Sequence, residues 1–378
     1  MSISSELLTL NNTKTAIRTA INNKGGSVGA NDTFASYATA IDNLPSGGSG
    51  NPLLTSIDVS DFTGTTFNSV RTYITSATIP SGVTSIVNSA FYDCSSLTSI
   101  NIPSGVTNIG QDVFNGCSSL TTLPIGNNVT TIGQTSYANM TGLTSITFPD
   151  SLTTVGYNCF SGDSNITEVN VSSLEKWCSI NFTRGAGYRY SNPLALTQEP
   201  TLYANGTAIT GSITLPNTLT STGNGIFMNY NKITSVTIPS GVTSIGSDAF
   251  NTCSNLTSIS LSSTVTSIGG YAFAYSGITS IDLPSSLTTI PEYMCSECRS
   301  LTTATIPASV TSIGTYAFQN CTALTGITIL RETPPTLGNY ALWGTNNCPI
   351  YVPAASVATY QSASGWSSYS SRIQAIPE

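Results

Sequence analysis

The sequence predicts an α+β repeat protein, a solenoid of 23-residue coils preceded by a small helical module. One observation is a phrase that returns at a fixed distance, first as Ile79-Pro-Ser-Gly-Val and then as Ile102-Pro-Ser-Gly-Val. A second is the apolar residue after each turn, which advances by 23 residues within two blocks, except for one step of 22. These positions are Val83, Val106, Val129 and Leu152, then Leu219, Val242, Val265, Leu287 and Val310.

Each coil begins with a strand whose last residues alternate between apolar and polar. Leu97-Thr-Ser-Ile100-Asn-Ile102 shows this pattern, which turns successive side chains to opposite faces of a sheet. Proline then ends the strand because it lacks a donor for the ladder, and the Ser-Gly that often follows permits a tight turn. Further along the coil, a stretch such as residues 247–253 is predicted to form a single helical or 3₁₀ turn with one ring pointing to the core.

Two more columns of residues keep the same period and predict what fills the core. Eight residues beyond each apolar position stands a large ring in most coils: Phe91, Phe114, Tyr137, Phe160, Phe227, Phe250, Phe273, Cys295 and Phe318. Eleven residues beyond stands a small or soft residue, most often cysteine: Cys94, Cys117, Met140, Asp163, Tyr230, Cys253, Ser276, Cys298 and Cys321. A single coil cannot bury its own apolar face, so stability must come from stacked neighbours and the ends of the stack need caps.

This pattern resembles the leucine-rich repeats of the BspA-like family of surface proteins, found in gut and oral bacteria, some protists and mobile elements. The resemblance covers residues 53–378 and implies a leucine-rich-repeat solenoid over 53–330 with a C-terminal cap over 331–378. Ser173-Leu-Glu-Lys-Trp177 marks an irregular segment, residues 165–210, that resembles an interruption recurring in the family. The step from Leu152 to Leu219 is 67 residues, two short of three repeats, so the solenoid is expected to continue through it.

Residues 1–45 lack the repeat and predict two helices that form an attachment or oligomerisation module. Apolar residues at helical spacing are the candidate assembly contacts: Leu7, Leu10, Ile17 and Ile21 in the first helix, and Phe34, Tyr37 and Ile41 in the second. The amino-acid sequence of this region resembles a short helical module common in phage tail and fibre proteins. Residues 46–52 follow as a Gly/Ser linker. The alternative is an ordinary N-terminal cap that shields the first coil.

The composition excludes several classes of function. Charged residues are only 8% of the chain and the net charge is −7, with no basic run that could neutralise nucleic-acid phosphates. No apolar run reaches the length of about 18 residues that a membrane span needs, so no membrane insertion is expected. The first residues carry neither a basic segment nor an apolar core of an export signal. Either such a signal was removed, or the protein does not use that route.

The sequence offers no catalytic equipment and no cofactor or metal site, so the protein is predicted not to be an enzyme. It has no histidine, which removes Ser-His-Asp triads, Cys-His pairs and most zinc sites. Five of the nine cysteines fall in one column and are predicted to be buried thiols rather than disulfides. A glycan hydrolase would need paired carboxylates. The nearest pairs, Asp150 with Asp163 and Glu168 with Glu175, fall at positions predicted to be turns or exposed faces.

Two surfaces are candidates for receptor binding. The first is a polar ribbon along the strand faces, where hydroxyls, amides and a carboxylate repeat from coil to coil: Asn101, Thr147, Thr237, Ser260, Asp282 and Thr305. The alternative is a sheet face whose threonines merely favour strand. The second surface is the irregular stretch with Arg184, Tyr188, Arg189 and Tyr190, whose residue types dominate binding hot spots. The alternative is that this stretch is a loop packed on the solenoid. For Trp177 and Phe182, packing on the solenoid is the favoured interpretation.

These observations predict a non-enzymatic phage virion protein, a tail or head fibre made in the bacterial cytoplasm. Its N-terminal helices would contact other virion proteins, with homo-oligomers possible, and its solenoid would recognise a host surface protein or glycan. The alternative is a BspA-like adhesin on a bacterial cell surface, or secreted, whose export signal has been removed.

Overall fold

The protein is described here by a computed structural model that covers residues 56–58, 71–79, 81–185 and 192–377. The chain divides into two compact units. Unit 1 comprises Met1–Thr144 and Phe160–Asn165, and unit 2 comprises Ser145–Cys159 and Ile166–Glu378. Both are built from the 23-residue coils of a leucine-rich-repeat solenoid, as predicted. The predicted module 1–45 and linker 46–52 lie outside the described residues.

Unit 1 carries two strands in a coil, and each strand pairs with its equivalent one coil away. The strands are β1 Ser56–Asp58, β2 Ser76–Thr78, β3 Ser85–Ile86, β4 Ser99–Asn101, β5 Asn108–Ile109 and β6 Thr131–Ile132, with a 3₁₀ turn at Arg71–Tyr73. One parallel sheet has the order β1-β2-β4. In a second, β5 lies between β3 and β6. The in-register pairing of Ser76 with Ser99 and of Ile86 with Ile109 reproduces the period of the sequence.

Unit 2 continues the pattern with longer strands and two short α-helices. Its strands are β7 Ser145–Thr147, β8 Thr154–Val155, β9 Glu168–Val171, β10 Asn181–Phe182, β11 Thr201–Ala204, β12 Thr207–Ala208, β13 Gly211–Thr214, β14 Ile233–Ile238, β15 Ser244–Ile245, β16 Ser258–Leu261, β17 Ser267–Ile268, β18 Ser280–Asp282, β19 Thr289–Ile290, β20 Thr303–Ile306, β21 Ser312–Ile313, β22 Gly326–Ile329, β23 Thr336–Leu337, β24 Ile350–Val352 and β25 Ile373–Ala375. The helices are α1 Leu174–Cys178 and α2 Val357–Ser362, with 3₁₀ turns at Pro193–Ala195, Ala354–Ser356 and Ser367–Arg372.

The sheets of unit 2 are parallel except for one hairpin. Strand orders are β12-β11-β9-β7, β13-β14-β16, β15-β17, β18-β20-β22-β24-β25 and β19-β21-β23, and β8 pairs with β10. The short β12 turns back antiparallel on β11, with Tyr203 opposite Ala208. In the regular coils the period fixes the register, as between β14 and β16, where Ser235 lies opposite Ser258. Around the irregular segment, β8 pairs with β10 and β9 with β11 across larger separations, and β13 shifts its register on β14 at Gly211.

The predicted columns of rings and small residues form the core. In unit 1, Phe91, Phe114, Tyr137 and Phe160 stack with ring centroids 5.4, 5.4 and 5.9 Å apart. In unit 2, Phe227, Phe250 and Phe273 stack at 5.7 and 5.9 Å. All nine cysteines fall within the described residues and are buried, including the five of the column. Thiols of the column donate to backbone carbonyls, as Cys253 Sγ does to Phe227 O at 2.9 Å.

The structure corrects the prediction that residues 247–253 form a single helical or 3₁₀ turn before the cysteine column. Residues 247–253 form consecutive turns in which Asp248 and Thr252 have φ of 57° and 61°. A residue with left-handed φ interrupts a right-handed helix, so the chain makes tight turns instead. Their backbone N–H groups bond to the next coil, as Asp248 N does to Gly270 O at 3.0 Å.

The irregular segment is packed into the repeats of unit 2. Helix α1 is capped at its N-terminus by Ser173, whose Oγ accepts a hydrogen bond from Lys176 N at 3.2 Å. The buried Trp177 donates from Nε1 to Ile226 O at 2.9 Å. Gly223 permits the close approach of this segment, because a Cβ there would lie 1.9 Å from Ile180 O. Since β10 pairs with β8, coils continue through the segment as the sequence predicts.

The last residues close the final coil of unit 2 with structure of a different kind. Helix α2 and a 3₁₀ turn lead into β25, which pairs with β24. Trp366 is buried, donates from Nε1 to Pro335 O at 2.8 Å and meets Tyr360 edge-on. Arg372 donates from Nε to Cys348 O at 2.8 Å. These contacts pack the segment on the preceding coils, and its role as a cap stays a prediction.

Candidate binding surface

The polar ribbon lies on strand faces where the sequence places it. Asn101 is exposed on β4 of unit 1. In unit 2, Thr147, Thr237, Ser260 and Asp282 are exposed on β7, β14, β16 and β18, and Thr305 is half-buried on β20. Thr237 stands opposite Ser260, and Asp282 stands opposite Thr305. The ribbon therefore exists as a surface, and its role in receptor binding stays a prediction.

The second predicted surface is only partly described. Arg184 lies on the surface after β10, while Tyr188, Arg189 and Tyr190 lie outside the described residues. Trp177 and Phe182 are buried, in agreement with the alternative that this stretch packs on the solenoid. Of these predicted binding residues, the structure therefore locates one.

Arg184 is held by two interactions that the sequence does not reveal. Its Nη1 lies 3.5 Å from Asp248 Oδ2, and its guanidinium lies over the ring of Tyr271 at 4.4 Å from the centroid. Asp248 also accepts a hydrogen bond from Asn251 Nδ2 at 2.7 Å. Burial raises the pKa of Asp248, and the hydrogen bond and Arg184 act against that rise. Arg184, Asp248, Phe182, Asn192 and Met228 line a cavity of about 330 Å³.

Beyond Arg184, four tyrosines from successive coils of unit 2 stack into a ladder. The ring centroids of Tyr271, Tyr293, Tyr316 and Tyr340 follow one another at 4.3, 4.8 and 5.3 Å, with interplanar angles of 9°, 25° and 9°. Tyr340 is 56% exposed. We call these four residues the tyrosine ladder. Arg184 covers its first ring, so the stack begins with a cation and continues through four phenols.

The backbone of the tyrosine ladder is unusual for such large residues. All four tyrosines have φ between 55° and 58°. A left-handed conformation costs an ordinary residue about 1–2 kcal/mol, whereas Asn and Asp tolerate it better. In other coils the equivalent position holds a smaller residue with φ between 54° and 58°: Ser89, Asp112, Thr135, Asn158 and Asp248. The left-handed turn is thus a property of the repeat, and the tyrosines are a property of the last coils.

Stacking offsets part of the backbone cost of the tyrosines. An aromatic pair contributes about 0.5–1.5 kcal/mol beyond its buried area, and four rings make three pairs. The half-buried rings of Tyr271, Tyr293 and Tyr316 add the gain from their buried apolar area.

Sequence reasoning did not find the ladder, although a signal was present. Tyr271-Ala-Phe and Tyr316-Ala-Phe stand two coils apart, and Tyr293 and Tyr340 fill the coils between and after them. A column of tyrosine at the coil period could therefore have been read. Its stacking, its left-handed backbone and the contact with Arg184 could not, since they depend on turn geometry.

The carboxylates considered for catalysis have structural positions. Asp150 is exposed and accepts a hydrogen bond from Ser172 Oγ, while Glu168 on β9 and Glu175 on α1 are exposed. Asp163, expected in a turn or on an exposed face, is instead 1% exposed in the column of small residues. Its Oδ1 accepts from Met140 N at 2.6 Å, and burial raises its pKa to about 8. Among the described residues, no group of three His, Cys, Asp or Glu could hold a metal ion.

A search of the described part of the chain for membrane-crossing helices finds none of sufficient length and apolarity.

Comparison with protein families identifies the repeats. The model of the BspA type leucine rich repeat region, in six copies, matches residues 60–184, 202–325 and 288–364. Comparison with curated proteins finds no match.

Several solved structures are similar to this chain. A leucine rich cell surface protein from Faecalibacterium prausnitzii A2-165 is 23% identical, with 86% of each chain covered and a TM-score of 0.45. A leucine-rich repeat protein from Eubacterium ventriosum is 21% identical, covering 76% of this chain and 86% of that one, with a TM-score of 0.45. The pneumococcal vaccine antigen PcpA is 18% identical, covering 80% and 78%, with a TM-score of 0.48.

Proposed function

Because the chain belongs to the BspA-type leucine-rich repeat family, we propose that it is a non-catalytic adhesin displayed on a bacterial cell surface. The family consists of surface proteins, and its solenoid is typically a scaffold for binding rather than for catalysis. The partner is a macromolecule on the surface of another cell. Recognition takes place through the side of unit 2 that carries the tyrosine ladder.

The tyrosine ladder is the observation that carries this proposal. Tyrosine and arginine are enriched in binding hot spots because they offer large contact area and hydrogen bonds from one side chain. Tyrosine also loses little conformational entropy on binding, and stacking in the ladder restrains it further. The positive charge of Arg184 is paired with Asp248. The surface therefore presents a preordered row of phenol rings with little net charge.

The polar ribbon is a second prediction for the same function. Asn101, Thr147, Thr237, Ser260, Asp282 and Thr305 offer hydrogen-bonding groups without a large aromatic anchor. Short polar side chains on a strand face are also what a solvated sheet requires. The ladder is therefore the stronger candidate, and the two surfaces separate in a mutational test.

The prediction of a virion fibre receives no support from the family match. It depended on the helical module of residues 1–45, including the assembly contacts Leu7 to Ile41, and these lie outside the described residues. Antibody labelling of the bacterium that carries the gene separates the two locations. We expect labelled cells; labelled virus particles with unlabelled cells would overturn the surface location.

Adhesion is tested with beads coated with the full chain and added to cultured epithelial cells. The double variant Tyr293→Asn/Tyr316→Asn removes two rungs and installs a residue that left-handed turns tolerate, so the fold is retained. We expect its retention on cells to fall about tenfold, in line with the loss of hot-spot residues. The double variant Thr237→Asn/Thr305→Asn changes the ribbon instead. We expect it to retain adhesion, and a comparable loss there would assign adhesion to the ribbon rather than to the ladder. Beads with the natural sequence that fail to adhere would contradict the adhesin proposal.

A further inference from the structure

A second aromatic side chain lies close in sequence to the ladder and lines a small cavity of its own. Tyr275 is four residues beyond Tyr271 and is 53% exposed. The cavity has a volume of about 280 Å³ and is lined by Tyr275, Glu297, Arg299, Ser254, Ser276 and Ser300. Ligand pockets for drug-sized molecules begin at about 300 Å³, so this cavity has room for one small ring.

Tyr275 has the same left-handed backbone as the ladder tyrosines. It has φ of 58° and its N–H donates to Ser296 O at 2.9 Å. The equivalent positions, which make the same bond to the next coil, hold small or polar residues in other coils of unit 2: Asn229, Thr252, Glu297 and Asn320. A tyrosine with left-handed φ carries the strain already noted for the ladder. Its exposure means that little of the strain is offset by burial in the protein.

The polar side of the cavity is preordered. Glu297 Oε1 accepts a hydrogen bond from Asn320 Nδ2 at 2.5 Å. Its Oε2 accepts from Arg299 Nη2 at 2.9 Å and Nε at 3.0 Å, a forked arrangement that fixes both side chains. The Arg299 side chain is nevertheless 72% exposed, which leaves much of the guanidinium accessible. A carboxylate acceptor and a guanidinium donor thus stand together beside an aromatic ring.

We propose that this cavity binds one pyranose residue of a neutral glycan, an assignment that rests on the proposed adhesin function. A pyranose has a C–H face that packs on an aromatic ring, and adjacent hydroxyls that donate to a carboxylate and accept from a guanidinium. The lining has these groups in Tyr275, Glu297 and Arg299, with the serine hydroxyls around them.

The charges of the lining disfavour other ligands. Glu297 repels anions such as phosphate, and Arg299 repels cations. The pair balances in charge, which suits a neutral ligand, and the serines disfavour a purely apolar one. A glycan contact here also fits a surface with few charges, since hydroxyl recognition depends on hydrogen bonds rather than on net charge.

The site is tested by saturation-transfer NMR on the full chain. The probes are the methyl pyranosides of glucose, galactose, mannose and N-acetylglucosamine, presented one at a time. We expect saturation of ring C–H protons for at least one of them with the natural sequence. Tyr275→Asn should reduce the signal about tenfold, and Glu297→Gln should also reduce it about tenfold because a charged hydrogen bond is weakened. Circular dichroism verifies the fold of each variant.

Tyr92→Asn is the matched control, because Tyr92 is also an exposed tyrosine but belongs neither to the cavity lining nor to the tyrosine ladder. Its signal should equal that of the natural sequence.

No saturation with any probe, or saturation unaffected by Tyr275→Asn in a folded protein, would overturn the glycan site. Bead adhesion that persists in Tyr275→Asn while NMR shows no sugar contact would overturn the site and leave the adhesin proposal standing. Loss of adhesion in Tyr275→Asn without sugar saturation assigns the cavity to a protein contact and overturns the glycan.

Discussion

At the scale of single residues, Asp163 shows how the repeat tolerates an exception. It occupies the column that other coils most often fill with cysteine, and it is about as buried as those cysteines are. The N–H of Met140 stabilises its oxygen, yet burial dominates and raises its pKa to about 8 from an ordinary value of 3.8. The folded protein therefore holds a proton that the unfolded chain releases near pH 4.

The Asp163 carboxyl makes stability depend on pH, and Asp163→Asn should remove that dependence. Between about pH 4 and about pH 8 the folded state binds more protons than the unfolded state, so stability falls as pH rises, by up to about 1.4 kcal/mol per pH unit. An asparagine keeps the oxygen that accepts from Met140 but has no charge to bury. We expect its free energy of unfolding, measured in urea, to exceed that of the natural sequence at pH 8 and to match it near pH 4.

Asp282→Asn is the control for that experiment, since it removes the same charge from an exposed strand position. It should leave the slope of stability against pH unchanged. A natural protein whose stability is flat from pH 5 to pH 8 would contradict a buried, protonated Asp163.

At the scale of structural elements, threonine hydroxyls tie neighbouring coils together outside the core. Thr302 donates from Oγ1 to Thr279 O at 2.9 Å, and Thr325 donates to Thr302 O at 3.1 Å. The N–H of each threonine bonds to the same carbonyl as its hydroxyl. The repeated Leu-Thr phrase in the sequence thus supplies a second donor for each of these coil contacts.

Replacement of Thr302 by valine tests the strength of this side-chain bond. Thr302→Val keeps the branched shape and the strand preference but loses the hydroxyl donor. We expect a loss of about 0.5–1 kcal/mol in the free energy of unfolding, because an exposed hydrogen bond gives the lower part of the usual range. Thr302→Ser keeps the donor and should lose less. Equal stability of the serine and valine variants would show that the hydroxyl contributes nothing.

The elements differ in how well the sequence predicts them. Strands such as β4 and β16 and the ring column from Phe91 to Phe318 follow directly from the period, because alternation and spacing are set by stacking. The turn at 247–253 was wrongly predicted as helical because Asp248, with a helix-tolerant Ala249 beside it, does not reveal its left-handed φ. Turn conformation depends on bonds to the next coil, which no single coil encodes.

The candidate sites were less predictable than the fold for a related reason. The ribbon residues follow from strand alternation, and the structure places them on strand faces as expected. The contact of Arg184 with Asp248 and Tyr271 joins residues far apart in sequence, across the irregular segment. Tyr275 likewise lies beside the local pair of Glu297 and Arg299 only because successive coils stack. The period of the sequence identifies which residues share a column. Cavities between columns can be located only when the rise and rotation of the backbone from coil to coil are known.

At the scale of the whole molecule, the scarcity of charge predicts a stability that salt hardly changes. Charged residues are 8% of the chain. Within the described residues the ion pairs are Arg184 with Asp248 and Arg299 with Glu297. Exposed pairs such as the second contribute about 0–1 kcal/mol, whereas stacked rings and buried aliphatic residues recur in most coils.

Thermal unfolding of the full chain in increasing sodium chloride checks this expectation. Between about 0.05 M and about 1 M salt, screening becomes nearly complete, yet we expect the midpoint to move by less than about 2 °C. Sodium sulfate at the same ionic strength should raise the midpoint further, because its exclusion from the surface strengthens apolar burial. A marked fall in chloride would show that ion pairs hold the coils together. The predicted insensitivity follows from where the stabilising contacts lie: along uncharged columns that run from coil to coil.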